Sequence, residues 1–305
     1  MAETATIKDL TRYFVPLALQ SASQGLTYPL VAMVASRGPG GTLDLAGLAQ
    51  SNMVLFLLGT FGFGLVATGM VFGRSQEGFK RFKSVNYFIA YIVISVQALL
   101  CIPWAGQFLF ERLIGLPPSI ANPARSTLFS SIVVQFLFFA RIPYQVQMYN
   151  ARVSGRASMA TILRIALTAV LSPVFCFLGA VGPHWAILCL TVPVFVEVLA
   201  SAALAAPYKD RFESLDGPAP SRREMFFFNL PLSIGGYLLA FSSILLGAVI
   251  ARAPDPERML PAYYLALGLV TPVAFVATLV QEVALVFASK KRKDKRMLWF
   301  AIGSG

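Results

Sequence analysis

Between residues 13 and 289 the chain repeats one pattern: an apolar run long enough for a membrane helix, then a short polar or basic stretch. The runs fall at 13–35, 46–73, 85–105, 127–149, 158–180, 184–206, 226–251 and 261–289. A helix of about 20 apolar residues crosses the roughly 30 Å of bilayer hydrocarbon. The pattern predicts an all-α polytopic membrane protein with the lipid bilayer as its partner and no soluble domain left over. Composition agrees: 57% of the 305 residues are hydrophobic and 13% are charged, against about 25% charged in soluble domains. The opening MAETATIKDLTR is polar, and no small-residue cleavage site follows it, so the first helix is expected to remain.

The net charge of +11 raises nucleic acid as a partner, but the positions of the charges exclude it. Taken alternately, the amino terminus and the stretches 74–83, 150–157, 207–224 and 290–296 carry 18 Lys and Arg, and the stretches 36–45, 106–126, 181–183 and 252–260 carry 5. That asymmetry is the positive-inside rule, and it places the amino terminus in the cytoplasm. An integral protein of the bacterial cytoplasmic membrane is expected, with KKRKDKR at 290–296 as a topology signal that also suits anionic lipid.

Sliding the chain against itself until Pro16 meets Pro231 also pairs Arg37 with Arg252, Pro39 with Pro254, Phe72 with Phe287, Lys80 with Lys295 and Arg81 with Arg296. Six runs separate the partners, so both copies point the same way across the membrane, as in transporters whose two halves are related by an axis along the membrane normal. Residues 1–206 form one complete six-helix lobe on this reading, 207–224 a cytoplasmic linker, and 225–305 the first part of a second lobe. The remaining carboxy-terminal helices are expected in a longer protein.

Three stretches also carry a resemblance: PLALQSASQGLTYPLVAMVASRGPGG at 16–41, LIGLPPSIANPARSTL at 113–128 and ILRIALTAVLSPVFCFLGAVGPHWA at 162–186. They resemble the multidrug and toxic-compound extrusion (MATE) family of the multidrug/oligosaccharidyl-lipid/polysaccharide (MOP) exporter superfamily. Within it, the first and third are most similar to the progressive ankylosis type, exporters of small organic anions. The resemblance implies twelve helices in two lobes that alternate between inward-open and outward-open states. It carries over Arg164, in ILRI, and Glu197, in FVEV. One departure matters: many MATE transporters place a coupling carboxylate in the first or seventh helix, and this chain has no acid in 13–35 or 226–251. Antiport against protons or sodium therefore loses weight, and the coupling ion stays open.

Polar residues inside apolar runs are the candidates for function. Gln20, Gln24 and Thr27 share one helical face and, with Asn52, are expected to line a cavity in the first lobe; the alternative is that they tie helices together. Pro16, Pro29, Pro143 and Pro231 mark expected helix bends. Arg164 and Glu197 fall at similar depth and are expected to pair as a structural or gating contact. Arg141, before Pro143 and one turn from Gln145, either binds an anionic group or reaches to the headgroups. Glu282, with no evident cationic partner, is the candidate coupling carboxylate. Gly59, Gly62, Gly64 and Gly69 are expected to allow close helix approach. The stretch 111–126 reads as a short helix lying on the outer surface, and His184 beside Trp185 as an interfacial anchor.

No metal cluster and no phosphate-binding GxxxxGK[ST] occurs, and Cys101, Cys176 and Cys189 all lie in apolar runs, so no cofactor is implied. The leading expectation is a secondary transporter exporting a small organic solute. A flippase for a lipid-linked saccharide requires a wide cationic groove, and a membrane-embedded transferase requires an acid, base or metal cluster. An inactive shortened lobe is the remaining alternative.

Overall fold

The computed structural model describes residues 7–212, 219–278, 280–287 and 300; the side chains of 20–26, 239, 271–278, 281, 282 and 285 lie outside the described part. Every regular element described is helical: α1 Ile7–Ser36, α2 Thr42–Gly59, α3 Leu65–Phe72, α4 Gln76–Leu100, α5 Pro103–Gln107, α6 Pro118–Ser130, α7 Ile132–Asn150, α8 Ser154–Phe177, α9 Pro183–Ala205, α10 Arg222–Ala251, α11 Pro256–Thr278 and α12 Val280–Phe287. Five spans are long and apolar enough to cross a membrane, and six if α6 and α7, bent by 44°, count as one. The 30 residues of α1 and the 23 of α11 are also of spanning length. The protein is an integral membrane protein whose helices follow the eight apolar runs.

The shift that pairs Pro16 with Pro231 reappears in the element bounds. It carries Ser36, where α1 ends, onto Ala251, where α10 ends. Ser221 caps α10 by accepting from the Glu224 amide at 3.2 Å, with Glu224 in the first turn, which is the sequence pattern of a capping box. No such cap is described for α1.

Lipid tails are as apolar as leucine, so burying Val or Leu between membrane helices does not recover the gain seen in water; close packing and hydrogen bonds hold the bundle instead. The glycines of the second span supply that closeness. A Cβ on Gly69 would fall 2.7 Å from the Val146 methyls, one on Gly64 would fall 2.6 Å from Leu232 Cβ, and one on Gly62 would overlap the Phe139 ring. Crowding these glycines together also breaks the helix: α2 ends at Gly59, a single 3-10 turn covers Thr60–Gly62, and α3 resumes at Leu65.

The prolines at 16, 29, 143 and 231 all lie inside uninterrupted helices. A sharp bend of 44° falls at Ser131, between α6 and α7, and a break falls in the glycine-rich second span. The stretch 111–126 is not one helix lying free on the surface: Arg112, Leu113, Pro118, Ser119 and Asn122 are exposed, and the opposite face is packed inward. Ile114, Leu116, Ile120, Ala121 and Ala124 are buried in one cluster with Ala46, Ala49 and Met53 of α2, because small residues on both helices let Gly47 approach Pro123.

Candidate functional site: a buried charge cluster

Three charges converge inside the bundle of α1 to α9. The Glu197 side chain, on α9, is fully buried; Arg164, on α8, is 5% exposed, and Arg141, on α7, is 18% exposed. Arg141 Nη1 donates to both carboxylate oxygens of Glu197, at 3.0 and 3.1 Å. Arg164 Nε lies 3.2 Å from Glu197 Oε2, an ion pair whose direction falls short of hydrogen-bond geometry. Thr161, one turn before Arg164 and so on the same face of α8, donates its hydroxyl to Glu197 Oε1 at 2.6 Å. The Phe138 ring lies 5.1 Å from the Arg141 guanidinium carbon and covers one of its faces.

Helix α8 is built for this position. Its buried stripe continues polar beyond Thr161 and Arg164: Thr168 returns its hydroxyl to the Arg164 carbonyl at 2.9 Å, and Ser172 returns its own to the Thr168 carbonyl at 2.8 Å. These residues satisfy themselves locally, as serine and threonine do in apolar helices. Arginine and glutamate cannot, so they need one another across the helices.

The expected Arg164–Glu197 pairing is present, and Arg141 joins it rather than reaching to the headgroups. Chain arithmetic carried that signal. Measured from Asn150, where α7 ends, Ser154, where α8 starts, and Ala205, where α9 ends, Arg141, Arg164 and Glu197 stand at nearly equal distances. Each lies about two to three turns from the same end of the bundle, so the three share one level. Gln145 is buried one turn from Arg141, and Thr27 is buried with an unpartnered hydroxyl. The side chains of Gln20, Gln24 and Glu282 lie outside the described part.

A second polar region, not anticipated as a unit, lies where α1 and α2 meet α10 and α11. The Tyr28 hydroxyl interacts with the Asn52 side chain. The Tyr264 hydroxyl donates to Met53 Sδ at 2.7 Å, with the Gln50 side chain also beside it, and the Ser51 hydroxyl is buried without a partner. Gly247 and Gly268 make room: a Cβ on either would fall 3.0 Å from the Tyr264 hydroxyl or 2.8 Å from the Tyr28 ring, respectively. Farther along, Asn229 and Ser233 of α10 both donate to the Phe61 carbonyl at 2.9 Å, satisfying an acceptor released by the break in the second span.

At the end of the bundle that bears the 36–42 and 178–183 connections, an open cleft of about 520 Å³ is lined by Asp44, Asn122, Ser126, His184 and Trp185, among others. His184 is held there between Ser126, at 2.6 Å, and Ser130, at 2.5 Å, while Trp185 packs near Phe175. Among the described residues no three His, Cys, Asp or Glu side chains converge as metal ligands.

No protein-family model matches the sequence, and no curated protein matches it significantly. Solved structures do match. The MATE multidrug transporter DinF-BH superposes with a TM-score of 0.70 at 13% identity, covering 100% of this chain and 71% of that one. An inward-facing MATE family multidrug resistance transporter gives 0.63 at 16% identity, covering 94% and 70%. A MOP superfamily transporter from Pyrococcus furiosus, described as having a binding pocket of reverse polarity, gives 0.64 at 16%, covering 97% and 68%. At these identities the likeness is one of fold, and over nearly its whole length this chain has the fold of the MATE transporters of the MOP superfamily.

Proposed function

We propose that the protein is a secondary transporter that exports a small organic solute by alternating access, with residues 1–206 as one rocking lobe, 207–224 as a cytoplasmic linker and 225–305 as the start of the second lobe. The observation that carries this reading is a MATE-type fold holding a fully buried, multiply charged cluster within its first bundle. Charge at that depth costs at least about 2.5–3.5 kcal/mol per residue on insertion scales, and intramembrane charges recur along substrate and ion pathways. The sequence self-match that pairs Pro16 with Pro231 and Arg37 with Arg252 supports two lobes, and the lopsided distribution of Lys and Arg supports a cytoplasmic amino terminus. Glu197 is saturated by its partners, which leaves Glu282 as the proposed coupling carboxylate.

The test is flux through liposomes holding the purified protein, with a rhodamine dye as a cationic probe and carboxyfluorescein as an anionic one. Gradient-driven movement of one probe above that of empty liposomes, reduced by Arg164→Gln, is expected. Protein-free rates for both probes and for a panel of small organic acids and amines would contradict the reading.

A further inference from the structure

Two guanidiniums share one carboxylate at the centre of the first bundle, so the cluster carries one positive charge in excess. Glu197 has little left to offer. Its two oxygens already take Arg141 Nη1 twice, the Thr161 hydroxyl and the Arg164 ion pair. Among the described residues it is the only acceptor that the side chain of either arginine meets; Arg141 retains a buried Nε without a hydrogen-bond acceptor, and Arg164 meets the carboxylate through Nε alone, as the ion pair. An arginine carries five N–H donors, so most donors of the pair lack a described protein partner. Phe138 shields one face of Arg141 without neutralising it. An uncompensated charge in a low-dielectric interior is costly, and the cheapest remedy is a mobile ion of opposite sign.

We propose that the Arg141–Arg164–Glu197 cluster is a binding site for one small monovalent anion, a halide or a carboxylate, held at the unpartnered edges of the two guanidiniums. The valence follows from the excess of one charge. The size follows from burial: Arg164 and Glu197 are closed off, and Arg141, with 18% of its side chain exposed, offers the approach. Arginine's planar fork suits both a spherical halide and a carboxylate. The site rests on the geometry of the cluster and not on transport, so a binding measurement and the flux measurement fail independently.

The experiment is equilibrium binding of radiolabelled chloride to the purified full chain in nanodiscs at constant ionic strength, with a bulky sulfonate, 2-(N-morpholino)ethanesulfonate, as the replacement anion. Saturable binding of one chloride per chain is expected. Arg141→Gln leaves a neutral Arg164–Glu197 pair, so it should fold and bind chloride at least about tenfold more weakly, whereas Arg141→Lys should retain binding. Displacement of chloride by acetate assigns the site to carboxylates, including one carried by a solute; binding that acetate does not displace assigns it to halides. Absence of saturable chloride binding by folded wild-type protein, or equal binding by Arg141→Gln, overturns the proposal.

Discussion

The charge cluster of the first bundle and the seam between α1–α2 and α10–α11 both bury polar groups at depth, and they do so differently. In the cluster, Arg141, Arg164, Glu197 and Thr161 come from three helices of one bundle and are locked by contacts of 2.6–3.2 Å. In the seam, Tyr28, Gln50, Asn52, Met53 and Tyr264 are uncharged, and Ser51 beside them keeps a buried hydroxyl without a partner. Breaking a buried ion pair costs about 3–5 kcal/mol, whereas neutral hydrogen bonds between membrane helices average about 0.6 kcal/mol. Strong polar bonds therefore hold a bundle rigid within itself, and weak ones join it to its neighbour. Such a division suits the rocking of two lobes proposed above.

The contrast is broken most severely at Glu197. Glu197→Gln leaves two guanidiniums facing each other, and a loss of about 3–5 kcal/mol is expected, read as a large fall in unfolding temperature. Closing a glycine contact in the seam comes next. Gly236→Val places a side chain against Thr60 and Phe63, where even a Cβ would fall 2.6 Å from Thr60 Cγ2, and overpacking of this kind costs about 1–3 kcal/mol. Asn229→Ala removes one of two donors to the Phe61 carbonyl while Ser233 remains, so about 1 kcal/mol is expected from thermal unfolding. The smallest effect belongs to Tyr264→Phe, which removes only a hydroxyl donating to a thioether; a change below about 1 kcal/mol is expected. A larger effect at Tyr264 than at Glu197 would reverse the assignment of strong and weak contacts.

Much of this architecture was legible in the sequence. The eight apolar runs reappear as helices, because hydrocarbon thickness and backbone satisfaction leave a membrane chain few choices. The Arg164–Glu197 pair was also legible, since charges in apolar runs need partners. What escaped notice depends on distances between helices that the sequence does not state. Arg141 looked like a helix-end residue because Pro143 suggested a break, yet α7 continues through it. Residues 111–126 looked interfacial because they are rich in proline and polar residues, yet Gly47 and the alanines on both sides allowed burial against α2. The seam was illegible as a unit: Tyr264 and Met53 are 211 residues apart, and neither stands out alone.

Whether one carboxylate holds two guanidiniums is decided by unfolding temperatures across a stepwise series. Glu197→Gln should be the least stable member. Adding Arg141→Gln should restore part of the loss by removing one uncompensated charge, and adding Arg164→Met should restore more, approaching wild type. If removing Arg141 from the Glu197→Gln background lowers the unfolding temperature further, the arginines are not held by that carboxylate and the cluster does not work as described.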